Sequence, residues 1–298
     1  MNTTQTFIIT GPTASGKSDF AHALAKKIGG VVINCDSVQI YRGIENISAS
    51  PLADAPMVDG CIDGVPYELF SIISLDRHLS VSEYMSMARA AYDNARAAGK
   101  PSVFVGGTGY YINAIMNGIS PMPEIDYDVR VRARQMVADN IDAARRMLGD
   151  NVGVSDPQRV ARALEVFLQT GRHITEFQSA PRVGGFLSDA KLILINPPVD
   201  VLRARIAARI PKMMTGGALD EARRIISEKL DPSRAIGAVQ LVNYLRGDLD
   251  MNACTENWIN KTAQYAKRQR TWFRTQIKPD ITINHVPGVD DIDAVLRS

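Results

Sequence analysis

The stretch Thr6–Ser18, TFIITGPTASGKS, constrains this chain more than any other. A short apolar run, Phe7-Ile8-Ile9, leads into Gly11-Pro12-Thr13-Ala14-Ser15-Gly16-Lys17-Ser18, and an amphipathic segment follows. The spacing is that of G-x-x-x-x-G-K-[ST], set between a strand and a helix as a phosphate-binding loop requires. Glycines let backbone N–H groups turn inward around phosphate oxygens, Lys17 adds a point charge, and the positive end of the helix dipole faces the same spot. Ser18 carries the hydroxyl that can hold Mg²⁺. Residues Gly11 to Ser18 are therefore expected to bind a di- or triphosphate with Mg²⁺. The competing reading is a structural glycine turn.

The rest of the chain supplies the scaffold. Phe20, Leu24 and Ile28 keep helical spacing until Gly29-Gly30 stops it. Val31–Asn34 is a second short apolar strand, followed by Cys35-Asp36-Ser37-Val38-Gln39. In open α/β sheets ligands sit beyond the carboxyl ends of the strands, which places Asp36 beside the phosphate loop. Residues 48–66 are rich in turn formers and read as mostly loop. A helix from Ser80 to Ala98, with serine caps ahead of Glu83, ends at Gly99-Lys100-Pro101, and Ser102–Val105 is a third strand running into Gly106-Gly107-Thr108-Gly109. This alternation predicts an α/β fold, a P-loop NTPase-like core with a mostly parallel sheet covered on both faces.

From Ile119 the pattern changes. Pro121-Met122-Pro123 reads as a hinge, and helices without strands follow, studded with Arg130, Arg132, Arg134, Arg145 and Arg146. Asp156-Pro157 begins a helix that runs through Gln158-Arg159-Val160-Ala161-Arg162 to Thr170-Gly171. A second hinge at Ser179–Gly185 precedes the strand Lys191–Ile195. Residues 121–189 are thus expected to be an all-helical insertion domain within a core formed by 1–120 and 190–298. The helix from about Asp200 puts Arg205 and Arg209 on one face. Helices near 219–230 and 234–245 come next, then a long one over 261–278 with six basic residues and no acidic one. Lys267, Arg270 and Arg274 share a face there, with Trp272 and Phe273 interleaved, and 280–283 is a final strand.

Formal net charge is only +2, so nucleic-acid binding needs a local basic face rather than a global excess. The three cysteines, Cys35, Cys61 and Cys254, are far apart, which argues against a zinc site or a disulfide framework and for a reducing compartment. With no leader pattern and no apolar run of membrane-spanning length, a cytoplasmic protein is expected. A phosphate loop alone does not separate an NTPase, a small-molecule kinase and a transferase with a diphosphate leaving group. Only the second strand ends in a carboxylate, and a single acid suits an acceptor's proton better than a hydrolytic water. Asp36 could also be a helix cap or a second-layer Mg²⁺ partner, and Thr108 a cap for the next helix. Arg205 and Arg209 could be a solvated face or a clamp on the phosphates. The basic helix could be plain surface, although aromatic interleaving and the arginine-rich insertion favour an RNA backbone.

Five ordered blocks, Gly11–Ser18, Asp36–Gly43, Val105–Gly109, Asp156–Glu165 and Ala266–Arg274, together resemble the tRNA dimethylallyltransferases, which prenylate N6 of the adenine beside the anticodon. The resemblance spans nearly the whole chain. It implies that the phosphate loop and Arg209 hold the diphosphate of dimethylallyl diphosphate, with Mg²⁺ on Ser18. It assigns Asp36 as the base for N6 and Thr108 as its hydrogen-bonding partner. It implies tRNA contacts, to the anticodon stem-loop, from Asp36, Ser37, Val38, Gln39, Thr108, Arg130, Gln158, Arg159, Val160, Ala161, Arg162, Lys267, Arg268, Gln269, Arg270 and Trp272. A monomer is the default expectation, since one chain can clamp the tRNA arm between two parts. The sequence departs from the family pattern at Ser48–Ser50, Pro66–Phe70, Gly237–Gln240 and Thr262-Ala263, away from the loop, Asp36 and Thr108. Two other readings stay open: an isopentenyltransferase of free adenine nucleotides, and a nucleotide-switched RNA-binding protein.

Overall fold

The computed structural model describes residues 5–55, 57–149 and 156–298. Pro56, within the stretch read as loop, lies outside them. The chain divides into two compact units, Asn117–Gly185 and the remainder. In the larger unit, every residue of β1 (Thr6–Thr10) and β2 (Val31–Asn34) is buried, as apolar β-branched and aromatic runs of this length require. They join β3 (Cys61–Ile62), β4 (Val65–Glu68), β5 (Ser102–Gly106), β6 (Lys191–Ile195) and β7 (Ile281–Ile283) in one sheet of order β3-β4-β2-β5-β1-β6-β7. Only the β3–β4 pair is antiparallel. Thr10 stands opposite Gly106, and Asn34 opposite Val105, so β1, β2 and β5 end nearly level.

Period-two alternation decides what covers the sheet. Phe7, Ile9, Val32, Val103, Val105, Ile193 and Ile195 pack on Phe20 and Leu24 of α1 (Lys17–Ile28), and on Ile292 and Val295 of the C-terminal helix. On the opposite side Phe104 meets Tyr92, 6.3 Å between ring centres, on the helix that follows the hairpin. After α1 come α2 (Pro51–Asp54), α3 (Val81–Ala97) and α4 (Gly109–Asn117). The start of α3 is fixed by a reciprocal cap: the Ser80 hydroxyl accepts from Glu83 N, and the Glu83 carboxylate accepts from Ser80 N.

The smaller unit holds α5 (Tyr127–Asp139), α6 (Ile141–Met147), α7 (Pro157–Thr170) and α8 (Ile174–Gln178). Its core includes Ala133, Val137, Ala144, Leu148, Val160, Ala161 and Leu164. Asp156 caps α7, its carboxylate accepting from Arg159 N at 3.0 Å, and the helix ends at left-handed Gly171. The unit closes where Ile119 and Val183 exchange backbone hydrogen bonds of 3.0 and 2.9 Å. Its bounds thus fall at 117 and 185, where the sequence suggested 121 and 189, because this pairing lies outside the Pro121 hinge. Back in the larger unit follow α9 (Val199–Met213), α10 (Leu219–Ser227), α11 (Ala238–Arg246), α12 (Met251–Gln276) and α13 (Val289–Arg297).

Three expectations about elements are refined. Residues 48–66 are turn and loop at just over half of their described positions, but they also include α2 and a hairpin whose strand β4 lies parallel to β2, Tyr67 opposite Val32. Asp63 and Gly64 both have positive φ, the two-residue turn that D-G favours. The long basic helix begins at Met251 rather than 261, started by the Asp250 side chain accepting from Ala253 N. The helix placed at 234–245 begins at Ala238, after a short 3₁₀ turn at Pro232–Arg234. Among the described residues no helix is long and apolar enough to cross a membrane.

Leu24 is fully buried between α1 and the sheet, so Leu24→Ala should cost about 2–5 kcal/mol in denaturant unfolding. Val199→Ala, at a position 60% exposed, should stay within about 0.5 kcal/mol.

Candidate active site

Gly16 caps α1 in a left-handed conformation, φ 93°, as a tight strand-to-helix loop demands. Lys17 is buried with its Nζ 3.5 Å from Pro12 O. Burial draws its ammonium down to about 8; the nearby Asp36 carboxylate works against that shift, and Arg209 adds to it. Two arginines reach across from α9. Arg205 Nε donates to Ala14 O at 2.8 Å, and Arg209 donates to the Thr13 hydroxyl at 2.9 Å. Arg209 is drawn down to about 10, first by burial and then by Arg205, and so remains charged at neutral pH. The pair is therefore a brace on the phosphate loop and not a solvated face. The Ser15 hydroxyl and Arg209 Nε are buried donors with no hydrogen-bond partner among the described residues. A phosphate oxygen would satisfy each.

Asp36 leaves the end of β2 as the sequence predicts. Asn34 holds its backbone, accepting from Asp36 N at 2.8 Å while donating to Leu69 O at 3.0 Å. Asp36 Oδ1 accepts from Val38 N at 3.0 Å, a local turn and not a helix cap. Thr108 likewise does not spend its side chain on capping α4. Its hydroxyl accepts from Ser37 N at 2.8 Å and donates to the Ser37 hydroxyl at 3.1 Å, tying the end of β5 to the Asp36 loop. Ser37, Val38 and Gln39 are half-buried beside it, and Gln39 Nε2 donates to Ala49 O. Cys35 is fully buried, and burial pushes its thiol up to about 12, which rules it out as a nucleophile.

The third wall comes from α12. Gln269 accepts from Thr13 N at 2.8 Å and donates to Gly107 O at 2.9 Å, so one amide spans the phosphate loop and the β5 loop. A Cβ on Gly107 would stand 2.4 Å from that amide nitrogen, and one on Gly109 2.2 Å from the Trp272 ring. These contacts are why positions 107 and 109 are glycine. They also revise the expected RNA face. Gln269 is buried with both ends of its amide satisfied, Phe273 is buried, and Arg270 donates to Pro197 O at 2.8 Å. Between residues 267 and 274, Lys267, Arg268 and Arg274 are the exposed cations, with Trp272 half-buried. In the smaller unit Arg130, Gln158 and Arg159 are exposed, and Arg162 is half-buried. Val160 and Ala161, expected to touch RNA, are core residues there.

Two features escaped the sequence reading. Tyr265, one turn before Gln269, has its phenol pushed up by burial and then by the Asp36 charge, which puts it at the same site. Its i, i+4 spacing to Gln269 was the available signal. Val286 and Pro287, after β7, lie 3.4 and 3.2 Å from where a Cβ on Gly16 would be, and nothing local marks that packing. As for Mg²⁺, the described residues contain no cluster of three or more His, Cys, Asp or Glu able to hold a metal. Ser18, half-buried in the first turn of α1, suits an ion whose other ligands are phosphate oxygens and water.

A phosphate loop at the carboxyl ends of parallel strands, braced by two arginines and with the Asp36 carboxylate close by, defines a P-loop-like group-transfer fold. The family model described as IPP transferase matches residues 39–276, and the one described as isopentenyl transferase matches residues 4–56. The chain belongs to the IPP transferase family. It is 37% identical to a tRNA dimethylallyltransferase of Rhodospirillum rubrum over 286 residues, covering 92% of this chain and 86% of the relative. The enzyme of the same name from Sphingopyxis alaskensis is 38% identical over 280 residues, 90% of this chain and 89% of its own. The crystal structure of a tRNA delta(2)-isopentenylpyrophosphate transferase from Staphylococcus epidermidis superposes with a TM-score of 0.69 at 25% identity, covering 99% of this chain and 98% of that one.

Gln269→Ala would leave Thr13 N and Gly107 O without their partner, and should cost about 2–4 kcal/mol of stability in denaturant titrations. Lys17 titrates at about 8 in the fold against 10.5 as a free side chain, so the unfolded chain binds more protons between those values and folding strengthens as pH rises through them. Lys17→Met should therefore be more stable than the parent below about pH 8. Its advantage should shrink toward pH 10.5, as read from unfolding midpoints across the range.

Proposed function

We propose that the chain transfers a dimethylallyl group from dimethylallyl diphosphate to N6 of the adenine adjacent to the anticodon, position 37, of tRNA, releasing diphosphate. The observation that carries this reading is the convergence on one spot of a cationic phosphate loop and the Asp36 carboxylate. Lys17 and Arg209 stand on the loop, Asp36 is close enough for its charge to act on Lys17, and Thr108 is tied to the Asp36 loop.

In the reaction the allylic C–O bond breaks, and its electron pair leaves with the diphosphate. The N6 lone pair forms the new C–N bond, and the N6 proton passes to Asp36. That amine is a weak nucleophile because its lone pair is delocalised into the ring, so removing the proton helps. Lys17, Arg209 and the Ser15 hydroxyl stabilise the charge growing on the leaving group, in a site where burial strengthens each interaction. Ser18 offers its hydroxyl to a Mg²⁺ ion held mainly by the diphosphate, which would neutralise part of that charge. The adenine must leave its stack, at about a few kcal/mol, and contacts elsewhere offset this. Outside the Asp36–Gln39 loop and Thr108, Lys267, Arg268 and Trp272 on α12, and Arg130, Gln158, Arg159 and Arg162 in the helical unit, are the expected tRNA residues that are neither buried nor, like Arg270, spent on the backbone. One chain suffices for this set, and we infer a monomer working in the cytoplasm.

Asp36→Asn keeps an acceptor for Val38 N, so the loop should persist while the base is lost. Single-turnover transfer should fall by about 10²–10⁴-fold with tRNA affinity nearly unchanged. Transfer within a few-fold of the parent would remove Asp36 from the base role.

A further inference from the structure

Glu165 sits in α7 with its side chain only 5% exposed, among buried Val160, Ala161, Ala163, Leu164 and Val166. Each of its oxygens takes a different guanidinium. Oε1 lies 3.5 Å from Arg134 Nε, on α5, and Oε2 lies 3.0 Å from Arg162 Nη1, one turn away on α7. The carboxylate is buried, but its partners are not: the Arg134 and Arg162 side chains are 61% and 38% exposed.

That asymmetry is hard to explain as stabilisation. Burying a carboxylate carries a large desolvation cost, and an apolar residue of similar size usually holds two helices together as well or better. What the arrangement does provide is order. Two long side chains that would otherwise sample many rotamers are fixed at their inner edges, which leaves most of their N–H donors free. Planar guanidinium groups so held match the oxygens of a phosphodiester. The triad keeps a net charge of +1, and exposed Arg130 and Arg159 stand one turn earlier on the same two helices.

We propose that Glu165 is a positioning residue that presents Arg134 and Arg162 as a paired fork for phosphates of an RNA backbone. The proposal rests on the tRNA-transferase reading above and adds to it two residues, Glu165 and Arg134, and a division of labour between a buried anchor and exposed contacts.

The sign of one effect separates this from simpler accounts. Glu165→Met removes a negative charge from a basic surface, so electrostatics alone predicts tighter tRNA binding. Loss of positioning predicts weaker binding. The experiment measures tRNA affinity of the full chain at several salt concentrations, together with steady-state prenyl transfer and thermal unfolding. For Glu165→Met we expect about tenfold weaker tRNA binding, a shallower salt dependence, and a higher KM for tRNA with kcat little changed. The unfolding temperature should be equal or higher. Arg134→Gln, at an exposed position, should give the same binding loss in a folded protein, and the double variant should lose little more than either single one. Tighter or unchanged binding in Glu165→Met would overturn the proposal. So would an unchanged salt slope in Arg134→Gln, or fully additive losses in the double variant. If the unmodified protein neither binds tRNA nor transfers to it, the functional reading fails, and this is seen before any variant is compared.

Discussion

One side-chain amide sets the spacing of the site. Gln269 of α12 accepts from Thr13 N in the phosphate loop and donates to Gly107 O at the end of β5. In the proposed transfer those two loops carry opposite halves of the chemistry, a cationic cradle for the leaving diphosphate and the threonine that ties down the Asp36 loop. A transfer reaction needs its reacting atoms about 3–3.5 Å apart at the moment of attack, and a loose pair of loops cannot hold that. The rest of the larger unit can be understood as support for this distance. The parallel sheet brings the loops to one edge, and the inward stripe Cys254, Trp258, Ala266, Gln269, Phe273 anchors α12 from which the amide reaches. Gly107 and Gly109 leave room for Gln269 and Trp272.

Charge is arranged on the same frame. Lys17, Arg205 and Arg209 crowd positive charge into a buried loop, which is unfavourable in the unliganded protein. Burial first, and then a neighbouring arginine, hold both Lys17 and Arg209 below their ordinary range. In the proposed transfer, the negative charge of a bound diphosphate would offset this positive charge. The carboxylates of Asp36 and Asp19 are counter-charges to Lys17, and in the proposed transfer Asp36 takes the acceptor's proton. In the helical unit a buried carboxylate, Glu165, is paired with Arg134 and Arg162.

Much of this was legible in the sequence because it is local. The phosphate loop, Asp36 at a strand end, the Ser80–Glu83 cap and the Asp156-Pro157 helix start are all specified within a few neighbouring residues. The α12 face was legible only in part. Lys267, Arg270, Arg274, Trp272 and Phe273 read as one mixed basic and aromatic face, yet the fold turns Phe273 and Gln269 inward and spends Arg270 on Pro197 O. A stripe of Cys, Trp, Thr, Ala, Gln and Phe has no strong apolar period, so helical spacing alone could not say which side is buried. Val160 and Ala161 show the converse, since a block that resembles a binding motif also contains the residues that hold its helix in the core. The β3–β4 hairpin was hidden by brevity, though Asp63-Gly64 marked its turn. The contact of Val286 and Pro287 with Gly16 joins residues far apart in the chain, and no local pattern encodes it.

The central claim is that one site joins an allylic diphosphate to an adenine of tRNA. The most direct measurement incubates purified protein and Mg²⁺ with labelled dimethylallyl diphosphate and, in parallel, unmodified tRNA with adenine at position 37, the same tRNA with guanine there, AMP and ATP. The account predicts label in the adenine-37 tRNA alone, with one diphosphate released per group transferred. Label in AMP or ATP, or nucleotide hydrolysis with no label in any acceptor, would contradict it.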